Sequence, residues 1–330
     1  MGEQQARAPS GVAQRATETA EQRATCPSRR SYRPEPGGKL ADRPRLADSA
    51  TVIVPDVPQT ATGVAVHYDE LDTAYRRIWG DHIHHGYWRT GRESAAEAAE
   101  ALVRLVETRL QLEPGQVVCD IGCGYGATGA DLAAANGVSV LGLTISSVQE
   151  QIARSRPSSG FTCLRRDWLN NGLPDGSFDR AYAIESSEHM VDKDRFFAEA
   201  SRVLRPGGRL VVCAWLEGEA VRCWETRYLL KPICIEGRLP SMGSCADYLE
   251  LASRAGLVLI SYEDISRNVR RTWQICLRRL VRRLMTDREI RRLVLSSATQ
   301  SRSFVLSLPR LMVALRTGGM RYGVFVWEKP

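Results

Sequence analysis

Short apolar runs and segments with helical spacing alternate along most of the chain. Residues 94–112 carry apolar side chains at helical spacing and predict a helix. The runs QVVCDIG, VSVLGLTI, FTCLRRD, SFDRAYAIES and GGRLVVCAW are compact and apolar, and helical segments separate most of them. Such alternation is typical of a doubly wound, mostly parallel sheet. Together with LVLISYED and the closing RYGVFVWE, the pattern predicts an α/β fold with seven strands.

Three segments depart from this alternation. Residues 1–62 are rich in Ala, Arg, Pro, Ser and Thr, and we expect a disordered N-terminal extension there. Within it, only TVIVPDV suggests a short strand or a docking segment. Residues 63–330 then form one domain. Inside that domain, residues 216–244 lack periodicity and resemble an inserted lid loop, and residues 265–318 form a second lid segment.

The composition is that of an ordinary globular protein. The chain has 330 residues, of which 43% are hydrophobic and 25% charged. Its first residues lack the apolar core of a secretory signal, and no run is long enough to span a membrane, so we expect a cytoplasmic protein. The nine cysteines include no CxxC pair, which favours reduced thiols. HIHH has no cysteines or spaced carboxylates beside it, so we predict no metal site.

The net charge of +7 is distributed unevenly. Residues 265–330 contain 15 basic and three acidic residues, a net charge of +12, which leaves −5 for the rest of the chain. A basic segment of this kind can contact nucleic acid, anionic lipid or an acidic substrate. It can equally be the solvated face of a helix. The charge pattern leaves these alternatives open.

A glycine-rich loop follows the first predicted strand. Gly122, Gly124 and Gly126 stand in VCDIGCGYG, where the strand turns into a helix. Glycine permits unusual dihedral angles and a close approach of ligand to backbone, and the helix N-terminus can bind an anionic group. A dinucleotide site would show GxGxxG and an acid about 20 residues further on. This loop is instead GxGxG preceded by Asp120, and the second strand ends in Thr144, which disfavours a dinucleotide.

The loop and three further motifs resemble a known family. VCDIGCGYG, LTISSVQ, FDRAYAIESSEHM and VLRPGGRLVVCAW match, in order, the motifs of class I S-adenosylmethionine-dependent methyltransferases. YDELDTAYRRIWGDHIHHGYW is similar to the entry segment of the γ-tocopherol methyltransferase group, which is close to the sarcosine/dimethylglycine and cyclopropane fatty-acid methyltransferases. The resemblance runs from about residue 66 to residue 330. It implies a Rossmann-like methyltransferase fold, S-adenosyl-L-methionine as cofactor and methyl transfer as the reaction.

The resemblance also implies which residues contact the cofactor. The methionine part would lie against the glycine loop and a cap from the entry segment, formed by Asp120, Gly122, Gly124, Gly126, Tyr68, Gly86 and Tyr87. Thr144 and Gln149 would bond the ribose hydroxyls, and Asp167 would accept from the adenine amino group. Trp168 would lie against the adenine ring. The alternative for Trp168 is a core aromatic residue beneath a loop.

Candidate catalytic residues follow the fourth predicted strand. Methyl transfer is an in-line displacement at an activated carbon, so the protein mainly supplies alignment and, where needed, a proton acceptor. Glu185, Glu188 and His189 lie where open α/β sheets bind ligands. Because Glu185 and Glu188 are three residues apart, they could face one side of a helical turn. Their carboxylates could accept a proton or stabilise a cation. Alternatively, Glu188 only orients the loop.

We expect the lid segments to contact the methyl acceptor. The first segment contains an apolar set, Trp224, Tyr228, Leu229, Leu230 and Ile233. The second interleaves Leu and Val with Arg278, Arg279, Arg282 and Arg283. Its apolar stripe is either core or a surface that rests on an anionic membrane.

These segments favour a small, lipophilic acceptor, such as a prenylated aromatic or isoprenoid natural product, with methylation at carbon. Oxygen or nitrogen methylation of a small metabolite is the alternative. A methyltransferase fold that catalyses a cyclisation, or that only binds the cofactor, is an alternative of another class. The sequence shows neither an RNA-binding module nor an Asn-Pro-Pro-aromatic signature, so we expect no nucleic-acid partner. A homodimer stays open.

Overall fold

The computed structural model describes residues 52–297 and 299–330. Within them, one sheet is built from β1 (Val117–Ile121), β2 (Ser139–Thr144), β3 (Phe161–Arg165), β4 (Phe178–Ile184), β5 (Leu204–Glu217), β6 (Val258–Asp264) and β7 (Met320–Glu328). Their order is β3-β2-β1-β4-β5-β7-β6. Strands β1 to β5 pair in parallel, whereas β7 pairs antiparallel to both β5 and β6. The predicted seven-stranded, mostly parallel sheet is therefore confirmed.

Helices cover the sheet and its carboxyl edge. Before β4 these are α1 (Ala61–Ile78), α2 (Ala95–Leu110), α3 (Ala127–Asn136) and α4 (Ser147–Ser155). After it come α5 (Lys193–Val203), α6 (Cys223–Glu225), α7 (Lys231–Glu236), α8 (Cys245–Arg254), α9 (Ser266–Val269), α10 (Arg271–Thr286), α11 (Arg288–Leu295) and α12 (Phe304–Thr317). Short 3₁₀ turns span Trp168–Asn170 and Ser187–His189, and a π-helical turn spans Thr226–Leu230.

Apart from the edge strand β6, whose residues are exposed or half-buried, both faces of the sheet are largely buried, which explains why its strands read as continuous apolar runs. On one face, Leu102 of α2 and Leu132 of α3 pack against strand residues. On the other, Phe197 of α5 and Tyr248 of α8 pack against Trp327 of β7. Helix α2 begins at a capping box between Ser94 and Glu97, which satisfies backbone donors at the N-terminus of the helix.

A third apolar cluster forms a lid over the carboxyl ends of the strands. It joins Tyr75 of α1, Ile233 of α7, Trp273 of α10 and Leu311 of α12, and Trp215 near the end of β5 packs against it. Residues 216–244, expected to be a lid loop, contain consecutive helical turns from residue 223 to residue 236. Leu229, Leu230 and Ile233 of the predicted acceptor set lie in this lid core, while Trp224 and Tyr228 are exposed. Burying these side chains against other helices stabilises structure that the sequence pattern did not indicate.

The predicted extension, residues 1–62, falls mostly outside the described residues, since nothing before residue 52 is described. For its last residues the expectation of disorder is wrong. Ile53 is buried and exchanges backbone hydrogen bonds of 3.2 and 2.9 Å with Met242, so TVIVPDV supplies a docking bridge to the lid. Helix α1 begins at Ala61 with the Thr60 side chain accepting from the amide of Gly63, which places the start of the folded chain before residue 63.

Candidate functional site

A cavity of about 1010 Å³ lies at the carboxyl ends of β1, β2 and β4, between the sheet and α1. Its lining includes most of the predicted site residues, namely Tyr68, Asp120, Gly122, Gly124, Thr144, Gln149, Asp167, Trp168, Glu185 and His189. The lining does not include Gly86, Tyr87, Gly126 or Glu188. The strand ends therefore bring together residues that are up to 121 positions apart in the chain, as the hydrogen bond between Tyr68 and His189 shows.

Asp120 and the glycine loop form the floor of this cavity. Asp120 is 3% exposed, and its Oδ2 has no hydrogen-bond partner within the described part of the chain. Burial raises the pKa of this carboxyl to about 7. Gly122 has φ +83°, and a Cβ there would lie 2.4 Å from the Cβ of Ser186. The loop thus presents bare backbone beside an unpartnered buried carboxyl, which fits the amino and carboxylate groups of the methionine part of S-adenosylmethionine.

The predicted ribose contacts line the next part of the cavity. The Thr144 hydroxyl donates to Oε1 of Gln149 at 2.7 Å, so the two side chains hold each other in place. Sequence reasoning missed Asp69 of α1. Its Oδ2 accepts from the Ser147 hydroxyl at 2.9 Å and its Oδ1 from the Ser146 hydroxyl. This contact fixes α1 to the N-terminus of α4.

Asp167 and Trp168, predicted to contact adenine, also line the cavity. Asp167 accepts from the amide of Leu169 at 2.9 Å and so caps a 3₁₀ turn. The indole nitrogen of Trp168 donates to the carbonyl of Phe196 at 3.1 Å, and the side chain is almost fully buried. Trp168 therefore belongs both to the cavity wall and to the core, so the two alternatives open for it are not exclusive.

Three predicted cofactor residues pack elsewhere. A Cβ on Gly86 would lie 2.8 Å from the Cβ of Ala98, and the amide of Tyr87 donates to the carbonyl of Ala98 at 2.7 Å, so this segment turns away to pack on α2. Gly126 packs against the ring of Phe161, which would lie 2.6 Å from a Cβ at this position. None of the three lines the cavity, and their contacts with the methionine part stay predictions. The cavity wall instead includes residues 81–84 of the entry segment.

Glu185 holds the site together. Its carboxylate accepts from the His85 amide at 2.6 Å, His85 Nδ1 at 2.9 Å, Trp215 Nε1 at 3.0 Å and the Tyr322 hydroxyl at 2.8 Å. Burial raises the pKa of this carboxyl, but the His85 imidazole and amide, with the nearby His84 ring, outweigh burial and hold the pKa at about 2. Its backbone is left-handed, with φ +52°, a strained value for a residue with a side chain. Because four donors already occupy both carboxylate oxygens, Glu185 has no free position for a substrate proton, and it acts as an anchor.

A second cavity of about 460 Å³ adjoins the first and shares Tyr68, Ile83, Glu185 and His189 with it. Aromatic rings supply much of its wall. They belong to Tyr68, Tyr75, Trp79, Trp215, Trp273 and Phe304. From the first predicted lid segment, Gly237 and Leu239 contribute, whereas the predicted apolar set does not. The second lid segment contributes Trp273 and Phe304, whose positions no motif indicated.

Glu188 lines this second cavity. It is 2% exposed, and its Oε1 accepts from the Trp215 amide at 2.5 Å. Burial, opposed by that amide, raises the pKa of Glu188 to about 8. It is therefore mostly protonated at neutral pH and can donate a hydrogen bond into the cavity. Glu185 and Glu188 therefore differ in charge, although both were predicted to be candidate catalytic residues.

His189 and Tyr68 stand where the two cavities meet. The Nδ1 of His189 faces the carbonyl of Arg238 at 3.4 Å and must donate, which leaves Nε2 to accept from the Tyr68 hydroxyl at 2.9 Å. Burial lowers the pKa of His189 to about 4, so the imidazole is neutral. Buried Lys193 supports the same turn, because its ammonium donates to Ser241 Oγ at 3.0 Å and to the Met190 carbonyl at 3.4 Å. Sequence reasoning missed this lysine.

Two further features concern metal binding and membrane insertion. Across residues 52–297 and 299–330, no three His, Cys, Asp or Glu side chains gather as a metal site would require. In the same residues, no helix is long and apolar enough to cross a membrane.

These features define a class I S-adenosylmethionine-dependent methyltransferase. Residues 56–304 match the family described as mycolic acid cyclopropane synthetase, and the chain belongs to this cyclopropane-synthase-like family. It is 31% identical over 291 residues to the chloroplastic tocopherol O-methyltransferase of Arabidopsis thaliana, across 81% of this chain and 82% of the relative. The predicted family, fold, cofactor and enzyme class are confirmed.

Two solved structures of similar fold belong to proteins with different reactions, a cyclase and a cyclopropane synthase. The crystal structure of the (4+2)-cyclase SpnF has a TM-score of 0.70 and 28% identity, covering 84% of this chain and 98% of that one. Mycolic acid cyclopropane synthase CmaA1, complexed with SAH and CTAB, has a TM-score of 0.72. Its identity is 22%, across 83% of this chain and 100% of that one, which shows the fold alone.

Asp120 gives a direct test of the cofactor floor. We expect Asp120→Asn to weaken binding of S-adenosylmethionine about tenfold to a hundredfold, because a charge-assisted hydrogen bond to its ammonium is lost. The wild-type affinity should fall by up to about tenfold per unit as the pH drops below 7, where the carboxyl of Asp120 takes up its proton. Calorimetric titrations between pH 5.5 and 7.5 measure both effects. Equal affinity and an unchanged pH profile in the variant would rule out this contact.

Proposed function

We propose that this methyltransferase acts on a small, lipophilic molecule bound in the second cavity. The observation that carries the proposal is the junction of the two cavities at Tyr68, Ile83 and His189. An acceptor in the aromatic cavity would meet the cofactor at this junction. Rings of Trp79, Trp215 and other residues favour a flat or isoprenoid acceptor over a polar one.

An apolar pocket beyond the second cavity favours an acceptor that carries a lipophilic substituent. It measures about 400 Å³ between α1, α11 and α12, and shares Tyr75, Trp79 and Phe304 with the second cavity. The ring of Tyr75 lies 5.6 Å from that of Phe304 and 5.3 Å from that of Trp79, so these rings stand between the two spaces. Leu293 and Val294 line the outer part. A prenyl chain would find carbon surface there without burying polar groups.

The residues at the junction suit a proton-dependent transfer. S-adenosylmethionine, when bound, supplies a methyl group already activated on sulfonium. His189 is neutral and its Nε2 already accepts from the Tyr68 hydroxyl, so we assign the pair a proton relay: the Tyr68 oxygen would take the proton of the acceptor's hydroxyl while the Tyr68 proton passes to Nε2. Protonated Glu188 would hold the acceptor by donating a hydrogen bond. Glu185 would touch neither reactant, and its role would be to hold Trp215 and residue 85 in place.

Carbon methylation is the first candidate, as the sequence favoured, and oxygen methylation is the second. Removing a phenol proton places negative charge on the oxygen and on ring carbons, so one base at His189 serves either outcome. One observation favours oxygen, the name of the Arabidopsis relative. Nitrogen methylation and a cyclisation remain candidates of lower rank, the latter because of the similarity to SpnF.

The test is a transfer assay with ¹³C-methyl S-adenosylmethionine. The acceptor panel contains prenylated phenols, unprenylated phenols and polar amines, and products are assigned by mass and by the methyl carbon shift, which separates carbon from oxygen attachment. We expect label in prenylated or otherwise lipophilic aromatics. Label confined to polar amines would reject the lipophilic acceptor, and turnover without label transfer would indicate a cyclase.

We also propose peripheral contact with anionic membranes through the outer face of α10. Arg278 and Arg282 are exposed beside Val281 and Met285, and neither arginine has an ion pair within the described residues. Arg279 does not belong to this face, because it donates to the Ile78 carbonyl at 2.6 Å. Co-sedimentation with phosphatidylserine vesicles should occur and weaken with salt. No sedimentation at low salt would exclude the contact. A cytoplasmic location goes with this proposal.

A further inference from the structure

The indole N–H of Trp273 is a buried donor without an acceptor. Trp273 is 2% exposed and lines the second cavity, and its Nε1 has no hydrogen-bond partner in the described part of the chain. Leaving a buried N–H unpaired costs about 1–3 kcal/mol. A native site tolerates such a cost where a ligand supplies the missing partner.

Other buried indoles around the site are satisfied. Trp215 donates to Glu185 at 3.0 Å, Trp168 to the Phe196 carbonyl at 3.1 Å and Trp88 to the Glu93 carbonyl at 3.1 Å. The fold therefore provides acceptors for the indoles that it uses structurally. Trp273 differs from them because it has no such acceptor and borders a cavity.

The ring of Trp273 is held firmly in one orientation. It meets the rings of His85, Trp215 and Trp79 edge to face, with centroids 5.0, 5.6 and 5.8 Å away. The preceding residue, Thr272, accepts from the Gly86 amide at 3.1 Å, which ties the start of α10 to the entry segment. Because neighbouring rings surround it on several sides, the indole is not free to turn toward another acceptor.

Few polar groups accompany Trp273 in this cavity. His189 and Tyr68 lie at the junction with the first cavity, Glu188 lines the second cavity alone, the Tyr75 hydroxyl is paired with His67, and Glu185 is fully used by its own donors. The remaining wall is aromatic and aliphatic. A ligand that fits must therefore be mostly carbon, with oxygen atoms at a small number of defined positions. An indole N–H only donates, so its partner must be an acceptor.

We infer that Trp273 recognises a carbonyl or ether oxygen on the ring system of the methyl acceptor, which makes the substrate an oxygenated lipophile such as an aryl ketone or a quinone. This deepens the proposed function and rests on it. Trp273 is a specificity-determining residue that contacts the acceptor away from the methyl group. Aromatic hydrocarbons without oxygen lack the partner that this donor requires.

The test uses two probes of the same skeleton, 1-tetralone and tetralin, which differ in a carbonyl oxygen. Dissociation constants are measured by ligand-observed NMR with saturating S-adenosylhomocysteine, for wild type, Trp273→Phe and the control Phe304→Leu. Phe304 lines the same cavity, and its ring contacts are with His67, Tyr75 and Trp79, so its variant changes the cavity wall away from the Trp273 ring. Wild type should prefer the ketone about tenfold. Trp273→Phe should reduce this preference to about twofold, while Phe304→Leu should keep it.

Two further readings separate the possible failures. In ¹⁵N-labelled wild type, one indole N–H resonance should move downfield with 1-tetralone and not with tetralin, a result that does not depend on a variant that folds. Any of three results overturns the inference: no preference in wild type, no binding of either probe, or a preference that is unchanged in Trp273→Phe. The N–H of Trp273 would then point at a neighbouring ring face. Calorimetry with S-adenosylhomocysteine tests the proposed function separately, since cofactor binding should be equal in all three proteins.

Discussion

Glu185→Ala should lower the free energy of unfolding by about 3–5 kcal/mol, since removing one member of a buried charged cluster leaves its partners unpaired. The carboxylate accepts four hydrogen bonds, and its loss strands donors from His85, Trp215 and Tyr322. These residues belong to the entry segment, β5 and β7, so the damage should spread across the site. Urea denaturation with a circular dichroism readout measures the change. Unfolding at the wild-type urea concentration would contradict the role of Glu185 as the anchor.

The same residue predicts a pH effect with a defined sign. The pKa of Glu185 is lowered from 4.5 to about 2 in the folded chain, so its stabilisation is present above about pH 4.5 and is lost as the pH falls toward 2. A shift of that size corresponds to roughly 3 kcal/mol. The stability difference between wild type and Glu185→Gln should therefore shrink as the pH drops. Glu263→Ala is the control, because Glu263 pairs with Arg109 at the surface and should cost about 0–1 kcal/mol.

Gly122→Ala should abolish binding of S-adenosylmethionine, with an affinity loss of at least about a hundredfold. The added Cβ would stand 2.4 Å from the Cβ of Ser186 at φ +83°, so either the glycine loop or the turn after β4 must move. The Ser186 hydroxyl donates to the Ile121 carbonyl and ties these two segments together. Displacement of either one moves the cavity floor beside Asp120.

Gly115→Ala is a matched control for this variant. Gly115 has φ +84°, almost the same backbone conformation, but nothing lies within 4 Å of an added Cβ. Both variants carry the cost of a left-handed alanine, about 1–2 kcal/mol, and only Gly122→Ala has the clash. Calorimetry should show wild-type cofactor affinity for Gly115→Ala. Equal losses in both variants would mean that backbone strain, not the shape of the loop, controls binding.

The parts of the site that could be predicted are local in sequence. Asp120, Gly122 and Gly124 lie within five residues, and the requirement for glycine follows from a sharp turn between a strand and a helix. Thr144 and Gln149 are likewise separated by one helix start. Periodicity predicted the strands because both faces of the sheet are buried, and their runs are correspondingly apolar.

The parts that could not be predicted depend on contacts between distant segments. The second cavity needs α1, β5, α10 and α12 together, and neither Trp273 nor Phe304 stands in a motif. Gly86 and Tyr87 were placed on the cofactor because their segment resembles a family cap, yet packing on Ala98 turns them away. Spacing alone also could not distinguish Glu185 from Glu188, since their charges depend on which donors the fold places beside each.

The central claim is that the cavity beside Asp120 binds S-adenosylmethionine. The measurement that tests it most directly is calorimetric titration of the whole chain with S-adenosylmethionine, with S-adenosylhomocysteine and with NAD as the comparison. The structure predicts saturable binding of the first two with one site per chain and no heat from NAD. Binding of NAD, or failure of all three to bind, would contradict the assignment of this cavity.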